Sequence, residues 1–294
     1  MKKGIIILLL LIVPILVHAQ VSGGQISRKA QTTTAHSVRN SSQKPGANSI
    51  GMSESKRKTI VANIVSNMVN VKGGTFIMGP SSSEQKIMNR YFGYEKNLPT
   101  HQVSLGDFYI GRYEVTQEEW EAVMGERLPS FKEPCKPATP VSWDMCQVFI
   151  RKLNSLTGKN FRLPTEAEWE FAARGGNNGN GYNFSGSNNL DEVAWYSGNV
   201  DYSDGEQPVG KKRPNELGLY DMTGNVDEWC QDWYGKYSVS SQYNPHGPSY
   251  GSRRVIRGES IRGSYDGKWY YYVSCRNFCE PDSNTGKHGF RLAM

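Results

Sequence analysis

The stretch that decides the fold is Gly218-Leu219-Tyr220-Asp221-Met222-Thr223-Gly224-Asn225-Val226-Asp227-Glu228-Trp229-Cys230-Gln231-Asp232-Trp233-Tyr234-Gly235. It packs four acids, two Trp, two Tyr and three Gly into eighteen residues. Aromatic side chains favour burial, acids resist it, and glycines allow tight backbone turns. Two readings stay open on spacing alone. In one, Asp221, Asp227 and Glu228 supply hard oxygen ligands to a cation, joined by backbone carbonyls of the glycine turn. In the other, the stretch is an aromatic core segment whose acids reach solvent.

Working outward towards the N-terminus, the periodicity predicts three helices. Thr116 caps one that starts at Gln117, with Glu119 closing a capping box and Gly125 ending it. Ser142 opens the next. Cys146, Phe149, Ile150 and Leu153 form one buried stripe, and Gly158 stands at its end. Thr165 caps the third, with Glu168 completing a box; the acids Glu166, Glu168 and Glu170 read as helix-start chemistry rather than catalytic carboxylates. Earlier still, residues 69–80 read as one strand entered through Gly73-Gly74, residues 81–100 as a polar surface loop, and residues 101–113 as a half-buried strand. Residues 176–214 are Gly/Asn/Ser-rich and irregular, a length that ions, packing or function usually organise. Downstream, residues 254–260, 270–275 and 289–294 read as short strands.

The chain has 294 residues, a net charge of +6 and no internal repeat. Lys2 and Lys3, an apolar run over residues 4–17 and the Val17-His18-Ala19 site read as a signal peptide over 1–19. The protein is therefore expected to be exported, periplasmic or extracellular, with no membrane span after cleavage. Residues 20–57 hold few large apolar side chains and read as a disordered polar and basic linker. From Arg28 to Lys58 seven bases face the single acid Glu54, so the positive charge belongs to this tail and the domain, residues 58–294, is mildly acidic. That excludes a nucleic-acid footprint on the domain. Five cysteines remain: Cys135, Cys146, Cys230, Cys275 and Cys279. An odd number leaves at least one thiol free or paired outside the chain.

Six ordered motifs carry a resemblance. They are Val71-Lys72-Gly73-Gly74-Thr75-Phe76-Ile77-Met78-Gly79, Tyr113-Glu114-Val115-Thr116 and Pro140-Val141-Ser142-Trp143, followed by Arg162-Leu163-Pro164-Thr165-Glu166-Ala167-Glu168-Trp169-Glu170, Gly218-Leu219-Tyr220-Asp221-Met222-Thr223-Gly224-Asn225 and Gly289-Phe290-Arg291-Leu292. With them the chain resembles the formylglycine-generating enzyme (sulfatase-modifying factor) family over everything after residue 69. The resemblance implies an α+β, C-type-lectin-like fold with short helices, short strands, long irregular loops and structural calcium. Carried over by position, the calcium ligands would be the side chains of Asp221 and Glu228 and the carbonyls of Gly224 and Val226. A second calcium site would fall after Asn189.

The family's enzymes oxidise a substrate cysteine to formylglycine with oxygen and a Cu(I) ion held by two cysteines, soft ligands suited to that ion. Those cysteines closely follow an Arg-x-Gly-Gly-Ser turn. Here the turn is Arg257-Gly258-Glu259-Ser260, and residues 261–269 contain no cysteine. Asp227 stands where the family has an active-site Trp. No copper is therefore expected, and the chain reads as a non-catalytic member that binds a peptide, protein or glycan. Asp227, Arg257, Glu259, Ser260, Trp269 and Arg276 are its candidate groove residues. Two other readings remain: a scaffold component of an envelope gliding or secretion apparatus, and an oxidoreductase of the same fold using other residues.

Overall fold

The computed structural model describes residues 52–92, 99–201, 203–261, 267–284, 286 and 288–294. The expected signal peptide and most of the linker lie outside them. The described residues belong to one compact unit, residues 49–294.

Ser53 accepts a hydrogen bond from the Lys56 N–H and starts α1, Glu54–Ser66. The helix begins four residues before the boundary read from composition. Tertiary contact explains this: Arg57 donates to the carbonyls of Ala122 (2.6 Å) and Val123 (3.3 Å), and Ile60 and Ile64 are buried. The strand expected over residues 69–80 is two strands, β1 (Met68–Val71) and β2 (Gly74–Met78). They part at Gly73, where an added Cβ would lie 2.3 Å from the Leu105 carbonyl oxygen; Asp107 binds the Gly73 N–H and Lys72 Nζ, both at 2.8 Å.

Part of the expected surface loop is a helix, α2 (Ser82–Phe92). Ser81 and Glu84 bond reciprocally at its start: the Ser81 N–H donates to Glu84 Oε2 and the Glu84 N–H to Ser81 Oγ. Next come β3 (His101–Leu105) and β4 (Phe108–Gly111), so this expected strand too is divided.

The three helices read from periodicity follow: α3 (Gln117–Met124), α4 (Trp143–Thr157) and α5 (Glu166–Ala173). Both capping boxes form, and Gly125 and Gly158 take the left-handed conformation. A single-turn helix, α6 (Leu190–Val193), punctuates the irregular region. The remaining strands are β5 (Asp227–Trp233), β6 (Gln242–Tyr243), β7 (Arg254–Arg257), β8 (Asn277–Cys279) and β9 (His288–Gly289). Lys268–Tyr271, partly expected as strand, is a 3-10 turn.

Among the described residues the strands form three small sheets, β1-β4, β2-β3-β6 and β8-β7-β5-β9. β5 runs antiparallel to β7 and parallel to β9. Side chains alternate across a strand, and β5 uses this to serve two cores. Trp229 enters one with Trp120, Phe149 and Phe290, whose rings pack 5.2–6.4 Å apart. Cys230 enters the other with Trp169, Phe171 and Leu219.

Candidate ligand groove and cation loop

The loop leading into β5 turns through left-handed backbone at Asp221 (φ 56), Gly224 (φ 82) and Asn225 (φ 61). Gly224 is required by close approach: a Cβ there would lie 2.3 Å from the Trp195 carbonyl oxygen. Its N–H donates to the Gly258 carbonyl at 2.8 Å, and the Ile261 N–H donates to the Asn225 carbonyl at 3.1 Å. The loop is thus fastened to the Arg257-Gly258-Glu259-Ser260 turn. Asn225 Nδ2 donates to Glu114 Oε2 at 2.7 Å.

Glu114, Asp221 and Glu228 are all buried and all act electrostatically on one guanidinium, Arg291. Burial, reinforced by Asp221 and Glu228, pushes Glu114 well above the usual carboxylate range. Burial likewise pushes Asp221 up to about 6, against the Gly210 N–H that its Oδ2 accepts at 2.7 Å. Asp221 Oδ1 is buried with no hydrogen-bond partner. Glu228 is placed differently. Its Oε1 accepts from Arg291 Nη2, and its Oε2 accepts from Arg291 Nε and Trp169 Nε1. Both Glu228 oxygens thus accept hydrogen bonds, whereas Asp221 Oδ1 accepts none. Among the described residues no group of three or more His, Cys, Asp or Glu side chains is arranged to hold a metal.

The α5 glutamates divide by role. Glu168 is helix-start chemistry: it closes the capping box and receives two short hydrogen bonds from Arg162. Glu166 and Glu170 are not. Glu166 takes Arg276 on both oxygens (2.7 and 2.6 Å) and Arg257 Nη1 at 2.9 Å; Glu170 takes Arg257 Nη2 and Arg174 at 2.8 Å. Burial acts to raise Glu170, but Arg174 and Arg257 outweigh it and hold the group below its usual range. Both glutamates anchor a buried network of guanidinium groups.

The six candidate groove residues do not converge on one open surface. Asp227, Arg257, Glu259 and Arg276 line one small pocket of about 20 Å³, together with Gly258, Tyr270 and Cys275. Arg257 and Arg276 enter it as parts of the buried network. Asp227 Oδ2 lies 3.7 Å from His288 Nε2. Glu259 has φ 55, left-handed backbone that suits glycine better than glutamate. Ser260 is buried, with Oγ unpartnered. Trp269 faces a separate open cleft beside Lys86, Arg90 and Lys268. None of the five cysteines is joined to another in a disulfide; Cys275 Sγ lies 3.1 Å from the Trp269 carbonyl oxygen.

Residues 54–294 match the family described as "Sulfatase-modifying factor enzyme 1-like domain". The chain is 36% identical over 216 residues to the chaperone protein LppX of Paenibacillus barcinonensis, covering 57% of this chain and 72% of that one. It is 38% identical over 193 residues to the formylglycine-generating enzyme of Streptomyces coelicolor, covering 59% of this chain and 57% of the enzyme. It therefore spans little more than half of the enzyme's length. Among solved structures it is similar to Treponema denticola variable protein 1 (TM-score 0.65, 31% identity, 77% of this chain and 94% of that one). PvdO from Pseudomonas aeruginosa is a second (TM-score 0.60, 26% identity, 77% and 93%). The α+β architecture, the six motifs and the match over all of residues 54–294 lead to one conclusion: the chain belongs to the sulfatase-modifying factor enzyme 1-like domain family.

Proposed function

We propose that this protein is an exported binding module of the sulfatase-modifying-factor fold, without formylglycine-generating activity, that takes a peptide or glycan ligand. One observation carries the reading: among the described residues the pocket beside the Gly258-Glu259-Ser260 turn is lined by one thiol, Cys275, and residues 261–269 hold no cysteine, where a Cu(I) centre calls for a pair. The basic and apolar residues at the N-terminus support export. No helix among the described residues is long and apolar enough to cross a membrane. Similarity to a chaperone supports binding over oxidation.

The test is to incubate the purified protein with Cu(I), oxygen and a cysteine-containing sulfatase-type peptide. Retention of the peptide thiol is the expected result; conversion to the aldehyde overturns the reading.

We also propose a structural calcium held by the side chains of Asp221, through Oδ1, and Glu228, with the carbonyls of Gly224 and Val226. Three buried acids facing one guanidinium favour an added cation there. A chelator is expected to lower the melting temperature of the wild type and to leave Asp221→Ala, which lacks the ligand oxygen, unmoved, since a ligand bound only to the native state must shift stability. An unmoved wild type removes the ion.

A further inference from the structure

A second cavity lies behind the buried network, away from the Gly258–Ser260 turn. It has a volume of about 330 Å³ and opens between the start of α5, the end of β5 and the segment running to Pro248. That size is in the range of small-ligand sites.

The charges at its floor are already used. Glu166 is matched by Arg257 and Arg276, and Arg276 spends its remaining nitrogen on the Gly235 carbonyl at 2.8 Å. Tyr237 donates its hydroxyl to Glu166 at 3.1 Å. Two other polar groups remain. Asp232, 4% exposed, engages one oxygen with the Glu166 N–H at 2.9 Å. His101, 7% exposed, has a buried Nδ1 with no partner. Burial and the Glu166 charge push Asp232 up to about 8, and burial holds His101 below its ordinary value. Asp232 thus presents its second oxygen to the cavity and His101 its Nδ1, the ring already holding a hydrogen bond with the Pro99 backbone. Trp233, Tyr237, Pro245 and Pro248 supply the apolar wall.

We propose that this cavity is a binding site for a single neutral sugar ring. Glu166 and Arg276 are matched to each other at the floor, so neither an anion nor a cation finds an unpaired charge there. A pyranose offers hydroxyls that both donate and accept, which suits Asp232 and His101. Its C–H faces suit the aromatic and proline wall. The site shares Arg276 with the thiol pocket but none of the Gly258–Ser260 turn, and it stands whether or not the domain oxidises cysteine.

Saturation-transfer NMR on the full domain tests this with the methyl α-glycosides of glucose, mannose, galactose and N-acetylglucosamine, alongside n-butylammonium and acetate. Sugar-ring protons are expected to receive saturation in the wild type. Gln242→Trp, which places a bulky ring at the cavity wall from a half-buried position, abolishes it. Asp232→Leu weakens binding about tenfold, the loss of roughly one hydrogen bond. If Asp232→Leu fails to fold, Gln242→Trp carries the test. The proposal is overturned if folded wild-type protein saturates none of these glycosides, if only n-butylammonium or acetate is saturated, or if the sugar signal survives Gln242→Trp.

Discussion

Arg291 grips Glu228 along both edges of the carboxylate, Nε to Oε2 at 2.6 Å and Nη2 to Oε1 at 2.5 Å, with both side chains wholly out of solvent. The pair ties the last strand region to β5 and carries Trp169 with it through a 2.7 Å hydrogen bond. Glu228→Gln keeps the shape but strands a buried guanidinium. The expected cost is about 3–5 kcal/mol, read by urea denaturation. A loss below about 1 kcal/mol would show that Glu114 and Asp221 take over the charge.

Thr165 is 3% exposed and its side chain accepts the Glu168 N–H at 3.1 Å. Thr165→Ala removes this cap and leaves a buried N–H without its partner. We expect a loss of about 1–2 kcal/mol with the same denaturant slope. A Thr165→Ser variant should recover most of it.

Glu259 is an L-residue at φ 55. Glu259→Gly relieves that conformation, and the expected gain in unfolding free energy is about 1 kcal/mol. A destabilised variant would mean that the contacts of the Glu259 side chain outweigh the strain.

Asp232 sets a pH dependence. Its folded pKa, pushed up to about 8, lies above the unfolded aspartate value, so the native state binds more protons between roughly pH 4 and 8. Its contribution to stability is full below that window and is lost as pH rises through it, at about 1.4 kcal/mol per pH unit at most. Asp232→Asn should flatten this slope and be more stable than wild type near pH 8. Thermal melts across the window on both proteins measure it; parallel curves would place the titration elsewhere.

These residues also mark how far the sequence could be read. The Thr116 and Thr165 caps were legible because a cap and its box span four residues, and the Cys146–Leu153 stripe because one helix face repeats locally. α2 was missed although Ser81 and Glu84 spell the same box; its polar composition outweighed the signal. Glu166 was read as helix-start chemistry because its partner Arg276 lies 110 residues away, and no local pattern announces a pairing of that range. The commitment of Glu228 to Arg291 was hidden for the same reason. The altered Glu259 turn was legible because the family resemblance puts glycine there. The burial of Arg257, Ser260 and Arg276 was not, since polarity suggests a surface and only the folded chain shows what covers it.

The segment His288–Met294 supplies β9, the Arg291 guanidinium and the bridges from Ala293 to Ile110 and Arg162. It joins elements from distant parts of the chain: β4 through Ile110, the segment before α5 through Arg162, and β5 through Asp227 and Glu228. Trp120, Phe149 and Leu163 thus wait for Phe290 and Leu292, far downstream, before the core they share can close. Closure of that core depends on pairings of long sequence separation, which are slower to form than helices. An emerging chain would show its three capped helices as fluctuating local structure and acquire hydrogen-exchange protection in one step.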